Sequence, residues 1–435
     1  MKNKVFMVSL GCPKNQVDSE KTLYALQQAG MEIVADETQA DIIITNTCGF
    51  VNDAKQESID TILELSRLKK TNPDVKLAVM GCLSERYRDD LKKSIPEIDH
   101  IFGTAELSHI VSDLAPKKIE APHDPDDSAR ILTTAPHWAY LKIAEGCSNK
   151  CAFCIIPAIR GPYKSVPADM ALKEAKALAA RGVKELILVA QDTTLYGADI
   201  HMKNGLAELL RGLVKIPGLE WIRVMYMYPT LVNDELLSVM AGEEKVAPYF
   251  DMPLQHAADS VLKNMLRPET NGSIRALLEK IKRRLPHAAL RTAFITGFPG
   301  ETEADFKVLL NLVKDEEFDH MGAFVYSPEE GTSAYGMPGS VPRKKAEERY
   351  ARLMETQKSI SSRKLERKVG MTGRVLVDGM AGEEMLNTGR LITQSPGIDG
   401  CVILDGVEAE PGDFIQVAIT GHTEYDLIGS GAENV

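Results

Sequence analysis

Long apolar runs are missing from this 435-residue chain. Nothing approaches the roughly 18 consecutive apolar residues of a membrane span, and the stretch Val5 to Leu10 behind Lys2 and Lys4 is too short for a secretory leader. Aromatic residues are scarce at 6%, and positive charge is in deficit: 51 Lys and Arg face 62 Asp and Glu, for a net charge of −11. That balance argues against a general affinity for nucleic acid or anionic membrane and leaves room only for a local basic patch. A paired cysteine framework is lacking as well, because the seven cysteines are an odd number in a chain with no export signal. Metal or redox chemistry is the better use for them. The expectation is a cytoplasmic protein with no membrane association. No internal repeat or low-complexity tract is evident, and 44% apolar with 26% charged residues is an ordinary globular composition. The length implies two or three cores.

Three textures divide the chain. Residues 1–115 alternate short apolar runs (Val5 to Leu10, Asp41 to Thr45, Val75 to Met80) with helical patterns, one from Asp18 to Gln28 and one from Asn52 to Lys69. This reads as a doubly wound parallel α/β domain. Residues 116–136 carry Pro116, Pro122, Pro125 and Pro136 with an Asp patch, the composition of an extended linker. Residues 137–368 contain six strand candidates beginning near Tyr140, Glu185, Trp221, Tyr249, Leu290 and Met321, interleaved with helices. Six β/α units predict an open, partial TIM barrel, (β/α)6, with its chemistry at the C-terminal strand ends. The stretch Arg343 to Lys368 holds ten Lys or Arg against four Asp or Glu. It reads as a charged helix leaving the barrel with a solvated face, an RNA contact being the alternative. From 369 to 435, short apolar runs broken by glycines predict a small all-β, OB-like barrel.

The cysteines carry the chemistry. Cys147, Cys151 and Cys154 form C-x3-C-x2-C directly after the first barrel strand. Three thiolates in one tight loop can hold three irons of a 4Fe-4S cubane and leave the fourth open. A structural zinc knuckle would want a nearby fourth ligand, and the next histidine, His201, is remote. Cys12, Cys48 and Cys82 are 36 and 34 residues apart, too far for a linear motif, yet each directly follows an apolar run. In a parallel sheet all three project from the ligand-binding edge, which predicts a second cluster with an open iron. Gly11, Gly49 and Gly81 beside them suit close approach of backbone to a bulky cofactor. Cys401 stands apart and reads as a buried apolar residue.

At Cys147 to Cys154, with Phe153 before the last cysteine, the chain resembles the radical S-adenosylmethionine (SAM) enzymes. The resemblance implies that SAM chelates the open iron and is cleaved to a 5′-deoxyadenosyl radical. Two open clusters joined to a small β-barrel resemble the methylthiotransferase family over essentially the whole chain. Val8-Ser-Leu-Gly-Cys-Pro-Lys-Asn-Gln-Val-Asp-Ser-Glu20 is similar to the branch that modifies ribosomal protein S-12. So are Cys154-Ile-Ile-Pro-Ala-Ile-Arg-Gly161, Asp251-Met-Pro-Leu-Gln-His256 and Ser327-Pro-Glu-Glu-Gly-Thr332. The branch acting on tRNA adenosine, the alternative, has a Gly-Cys-Gln-Met-Asn pattern instead. Val166 departs from the family pattern, which has an arginine after the serine.

The resemblance implies methylthiolation of the β-carbon of an aspartate in ribosomal protein S-12, with two SAM per turnover, two 4Fe-4S clusters and a reduced electron donor. It also makes the last domain resemble a TRAM module. That module holds eleven Asp or Glu and two Lys or Arg from Met371 to Val435, which suits docking of a basic protein better than RNA phosphate. For SAM, the candidates are Gln191 after the second strand, Phe153, and the Gly297 to Glu301 turn after the fifth strand, where the backbone can approach ribose or adenine. A plain turn and a plain N-cap are the alternatives there. Arg160 can pair with a carboxylate of SAM or substrate, or form a surface salt bridge. Tyr196, Gln255 and His256 are candidates for lining the cavity, and Met225 to Tyr228 reads as core packing.

Overall fold

A computed structural model describes residues 3–104, 106–115, 129–381 and 386–431. The proline-rich part of the expected linker, 116–128, lies outside them. The N-terminal domain contains β1 (Lys4–Ser9), α1 (Pro13–Gln28), β2 (Glu32–Ile33), β3 (Ile42–Thr47), α2 (Asn52–Ser66), β4 (Lys76–Gly81), α3 (Cys82–Arg86), α4 (Arg88–Ser94), β5 (His100–Ile101) and α5 (Leu107–Leu114). Its parallel sheet has the order β2-β1-β3-β4-β5, so the strand order reverses between β1 and β3. Every residue of β3 is buried, as a central strand covered on both faces requires. Helix α1 starts five residues before the Asp18 predicted from sequence, with Cys12 as N-cap and Pro13 in its first turn. Proline suits that position, where its missing N–H has no helical partner in any case.

The second domain runs through β6 (Trp138–Lys142), β7 (Ala144–Glu145), α6 (Ile156–Arg160), β8 (Lys164–Ser165), α7 (Ala168–Ala180), β9 (Glu185–Val189), α8 (Gly205–Leu213), β10 (Trp221–Val224), α9 (Asp234–Gly242), β11 (Tyr249–Asp251), α10 (Asp259–Asn264), α11 (Asn271–Arg284), β12 (Ala289–Thr296), α12 (Glu303–Glu316), β13 (His320–Val325) and α13 (Arg343–Glu366). Six parallel strands, β6-β9-β10 and β11-β12-β13, form two three-stranded halves. The halves meet at a single bridge, Ile222 to Val246, and at Met227 N–H donating to Asp251 O at 2.8 Å. This is the predicted open barrel. Helix α1 of the N-terminal domain lies against β6 at one edge, and α13 against β13 at the other.

The expectation that this helix leaves the barrel is corrected: α13 buries Ala346, Leu353 and Ile360 on the barrel and Leu365 in the core of the last domain, while its other face is solvated. Its charge is also largely spent. Seven of its flanking and internal cations, Arg343, Arg349, Arg352, Lys358, Arg363, Lys364 and Arg367, pair with carboxylates. An RNA contact there would have to break such pairs.

The last domain is a closed barrel of β14 (Thr372–Ala381), β15 (Leu386–Leu391), β16 (Val402–Asp405), β17 (Phe414–His422) and β18 (Leu427–Gly431), in the order β14-β15-β16-β18-β17. It plugs the N-terminal mouth of the large barrel. Arg390 reaches Glu185 at 2.5 Å, Asp399 accepts from Tyr249 Oη at 2.6 Å, and Phe414 meets the Trp221 ring edge-on at 4.9 Å. Glu185, Trp221 and Tyr249 each begin a barrel strand, so this plug and any chemistry at the C-terminal ends occupy opposite mouths. Cys401 is half-buried rather than buried, its backbone N–H bonded to Asp426. No helix among the described residues is long and apolar enough to cross a membrane.

Candidate active site

Strand register explains how three distant cysteines meet. In the N-terminal sheet Ser9 is level with Asn46, and Thr47 with Gly81, so the three chains leave the sheet at one height. Cys12 then caps α1, Cys48 follows β3 and Cys82 opens α3. Cys12 and Cys48 flank the β1/β3 reversal, the place where doubly wound sheets of this order bind ligands. The neighbouring glycines stand in close contact with the other cysteine loops. A Cβ on Gly11 would lie 2.8 Å from Cys48 Cβ, and one on Gly49 2.8 Å from the Cys82 carbonyl. They let the cysteine loops pack on one another.

The other triad sits in the loop after β7, with Cys147 N–H donating to Gly161 O at 3.1 Å and Cys154 N–H to Cys151 O at 3.1 Å. All six thiols are free, and all six line one cavity of ≈ 300 Å³ between the N-terminal sheet and the C-terminal ends of β9, β10 and β11. That volume is at the small end of ligand pockets. Lys14, Arg160 and Arg267 line it and, among the described residues, no carboxylate does, so it favours anionic contents. Two non-glycine residues with left-handed backbone, Tyr226 (φ 57°) and Gln255 (φ 69°), also face it. Such strain is retained where a site requires a particular aim.

The thiols differ in acidity. Burial works to raise Cys12, but the charges of Lys14 and Arg160 and backbone N–H groups of Asn15 and Lys14 outweigh it, so its thiolate is favoured. Burial pushes Cys82 up to about 11 against the opposing Arg160 guanidinium, whose Nε donates to Cys82 Sγ at 3.3 Å. Burial likewise raises Cys48 and Cys147, and takes Cys154 to about 12. These protons would be lost as metal binds. Among the described residues no group of three or more His, Cys, Asp or Glu is arranged around a single ion. Thiolates of a cubane each take a different iron and are spaced for the cluster instead. The donor set fits such a group, three thiols to a side. Gln191 points the same way: it lines the cavity, and both its amide atoms are buried without a hydrogen-bond partner. An orphaned amide there suits a polar ligand such as SAM.

The remaining candidates divide. Phe153 lines the cavity and packs edge-on against Phe298 at 6.4 Å. Arg160 is neither a surface ion pair nor free for a ligand carboxylate. It is 7% exposed and bonded to Glu145 (2.8 Å), Asp18 (3.2 Å), Asn15 and Cys82. Gly297 and Glu301 do not line this cavity. Gly297 (φ 76°) lies under α13, where an added Cβ would come within 2.3 Å of Ala346 Cβ. Glu301 accepts from Gly297 N–H and pairs with Arg349 at 3.2 Å. The turn is thus a latch for α13.

Gly297→Ala should cost about 3 kcal/mol from left-handed backbone and overpacking together, lowering the thermal midpoint, with SAM binding intact in the folded fraction. Lost SAM affinity in fully folded protein would return the turn to the cofactor site.

Tyr196 is buried and donates to Val166 O at 2.8 Å, and His256 Nδ1 accepts from Ala258 N–H at 3.0 Å, so both are structural. Gln255 lines the cavity as expected. In Met225 to Tyr228 the two methionines pack in the core as expected, but the run also reaches the cavity. Strand β10 ends at Val224, and Tyr226, Met227 and Tyr228 turn into the lining. Lys14 and Arg267 escaped sequence reasoning. Lys14 carried a signal, two residues from a cysteine, whereas Arg267 carried none: its contacts, Glu269 at 3.0 Å, the Tyr228 ring at 4.0 Å and Cys151 Sγ at 3.9 Å, are mostly tertiary.

Three family models match in succession: uncharacterized protein family UPF0004 over residues 4–103, the radical SAM superfamily over 141–313 and the TRAM domain over 369–431. Among solved structures, the radical SAM methyltransferase TsrM from Kitasatospora setae is 13% identical with a TM-score of 0.54, covering 85% of this chain and 79% of that one. OxsB, a cobalamin-dependent SAM radical enzyme, is 14% identical at 0.51, covering 82% and 56%. These likenesses concern the fold alone. Sequence relatives are much nearer. The "Ribosomal protein uS12 methylthiotransferase RimO" of Citrifermentans bemidjiense is 46% identical, covering 98% of each chain. Its counterparts in Lachnoclostridium phytofermentans (44%, covering 98% and 99%) and Aquifex aeolicus (45%, covering 99% and 98%) are similar. With two cysteine triads on one cavity and this likeness over nearly its whole length, the chain belongs to the RimO family of radical SAM methylthiotransferases.

Proposed function

We propose that this enzyme, holding two 4Fe-4S clusters, adds a methylthio group to the β-carbon of an aspartate in ribosomal protein uS12, using two SAM per turnover. One cluster would sit on Cys147, Cys151 and Cys154, the auxiliary one on Cys12, Cys48 and Cys82. The observation that carries this reading is the single cavity lined by both triads. When bound, these groups supply a SAM-derived radical on one side and a methylated sulfur on the other.

The chain's own contribution is placement. Arg160, reaching from α6 to Asp18 on α1 and to Cys82, fixes one triad's loop against the other's domain. Lys55 and Arg86 clamp Glu329 from the N-terminal side, each at 2.8 Å. That contact also gives the Ser327 to Thr332 motif its role. Rigid facing matters because a carbon radical must meet the sulfur before it strays. Gln191 would orient SAM, and Phe153 and Phe50 would exclude water. The acidic last domain lies at the opposite mouth, so its attraction for a basic ribosomal protein would act in recruitment, not in holding the aspartate. A reduced electron donor is required, and the setting would be the cytoplasm, where uS12 is assembled.

The test is anaerobic: reconstituted enzyme, uS12, tRNA, SAM, sulfide and dithionite, followed by mass spectrometry of peptides and nucleosides. A methylthio group on one aspartate of uS12 is expected. Unmodified uS12 beside modified tRNA would transfer the enzyme to the other branch.

A further inference from the structure

Three cations line the cavity, and two of them are occupied. Arg160 is held by Asp18 and Glu145, and Arg267 by Glu269. Lys14 is different. It is 8% exposed, its Nζ lies 3.7 Å above the Tyr226 ring, and among the described residues no carboxylate comes within ion-pair distance of it. Besides that ring, the Cys12 thiol and Asp251 act on its charge through space, and a buried ammonium without an anion in direct contact is expensive. Among the described residues none that lines the cavity is a carboxylate, so a carboxylate in direct contact with Lys14 would be a ligand's.

We propose that Lys14 anchors the side-chain carboxylate of the substrate aspartate and is the residue that selects an acidic substrate. The inference rests on the protein-directed reading above. Lys14 sits on the first turn of α1, two residues beyond Cys12, and therefore on the side of the cavity where the sulfur would be held. The carbon to be modified is one bond from the carboxylate carbon. Fixing that carboxylate on Nζ therefore places the β-carbon beside the auxiliary triad and leaves its C–H facing the Cys147 side. An ammonium also discriminates sharply: asparagine has the same shape, but its amide leaves the buried charge unpaired.

The test uses the reconstituted full-length enzyme and two fluorescent uS12 peptides, one with the target aspartate and one with asparagine in its place. Wild-type enzyme should prefer the aspartate peptide. Lys14→Met should weaken that peptide roughly 30-fold or more, the usual consequence of removing one partner of a buried charge pair, and should leave the asparagine peptide unchanged. Lys14→Arg should restore part of the preference. Iron content, the visible spectrum and SAM affinity should match wild type in both variants.

Equal weakening of both peptides would overturn the inference, as would unchanged aspartate affinity in Lys14→Met. Iron loss would make Lys14 a counter-ion of the auxiliary thiolates, and lost SAM affinity would make it a SAM ligand; either result removes the anchor role. If wild-type enzyme binds neither peptide nor intact uS12, the protein-directed reading falls and this inference with it.

Discussion

Cys147→Ala is expected to bring SAM cleavage below about a hundredth of the wild-type rate, at least ~2.7 kcal/mol of barrier, and with it all methylthio product. Cys12→Ala should do something else: deoxyadenosine continues to form within about threefold of wild type, under 1 kcal/mol, while product vanishes. The difference follows from where the thiols sit. Cys147 belongs to one short loop held to Gly161 by a backbone bond, and two remaining thiolates cannot retain a cubane with one open iron. Cys12 lies on the other domain, at the head of α1, so its loss leaves the Cys147 loop untouched. Each variant should retain roughly half the iron of the wild-type protein, one cluster lost and one kept. Deoxyadenosine by liquid chromatography and product by mass spectrometry separate the two. Equal loss of cleavage in both variants would sink the division of roles, and product from Cys12→Ala would remove the auxiliary triad from the chemistry.

Much of this site is legible in the sequence because its parts are local. The C-x3-C-x2-C loop is a spacing, and Cys12, Cys48 and Cys82 are each the first polar event after an apolar strand. Parallel register then does the rest, since strands that start level also end level. The open barrel is visible for the same reason, six apolar runs separated by helical periods. Strands β2 and β5, two residues each, are too short for any periodicity to show.

What sequence could not give is which surfaces meet. Arg160 read as a ligand contact or a surface ion pair because Asp18, 142 positions away, is found only by folding. Gly297 looked like a cofactor turn because nothing local marks Ala346 as its neighbour. Tyr226 looked like a strand residue until a left-handed backbone (φ 57°) turned it into the cavity. In each case local pattern set the element and long-range contact set the role.

Arg160→Met tests whether the two triads are held in register by this contact. The guanidinium side chain is 1% exposed, while Asp18 and Glu145 retain 14% and 34%. Lys142 pairs with both acids and would still neutralise them in part. The loss is therefore placed at about 3 kcal/mol, the low end for a broken buried pair. It should appear at the interface, as faster hydrogen exchange in α1 and α6.

The acid dependence has a definite sign. Burial works to raise Glu145, but Lys142 and Arg160 outweigh it and hold its carboxyl well below the ordinary 4.5. A depressed carboxylate contributes stability above its unfolded value and loses it as pH falls. The penalty of Arg160→Met should accordingly be full at neutral pH and shrink below about pH 4.5. An equal penalty at both pH values would assign the effect to packing.

Function should respond more steeply than stability. With the domains loosened, each triad keeps its thiols but not its distance to the other. SAM cleavage should continue while methylthio product per deoxyadenosine falls about tenfold or more, because interception depends on fixed proximity. Product and cleavage falling together would mean that Arg160 serves the Cys147 loop alone, and that the domains are held in register by Lys55, Arg86 and Glu329 instead.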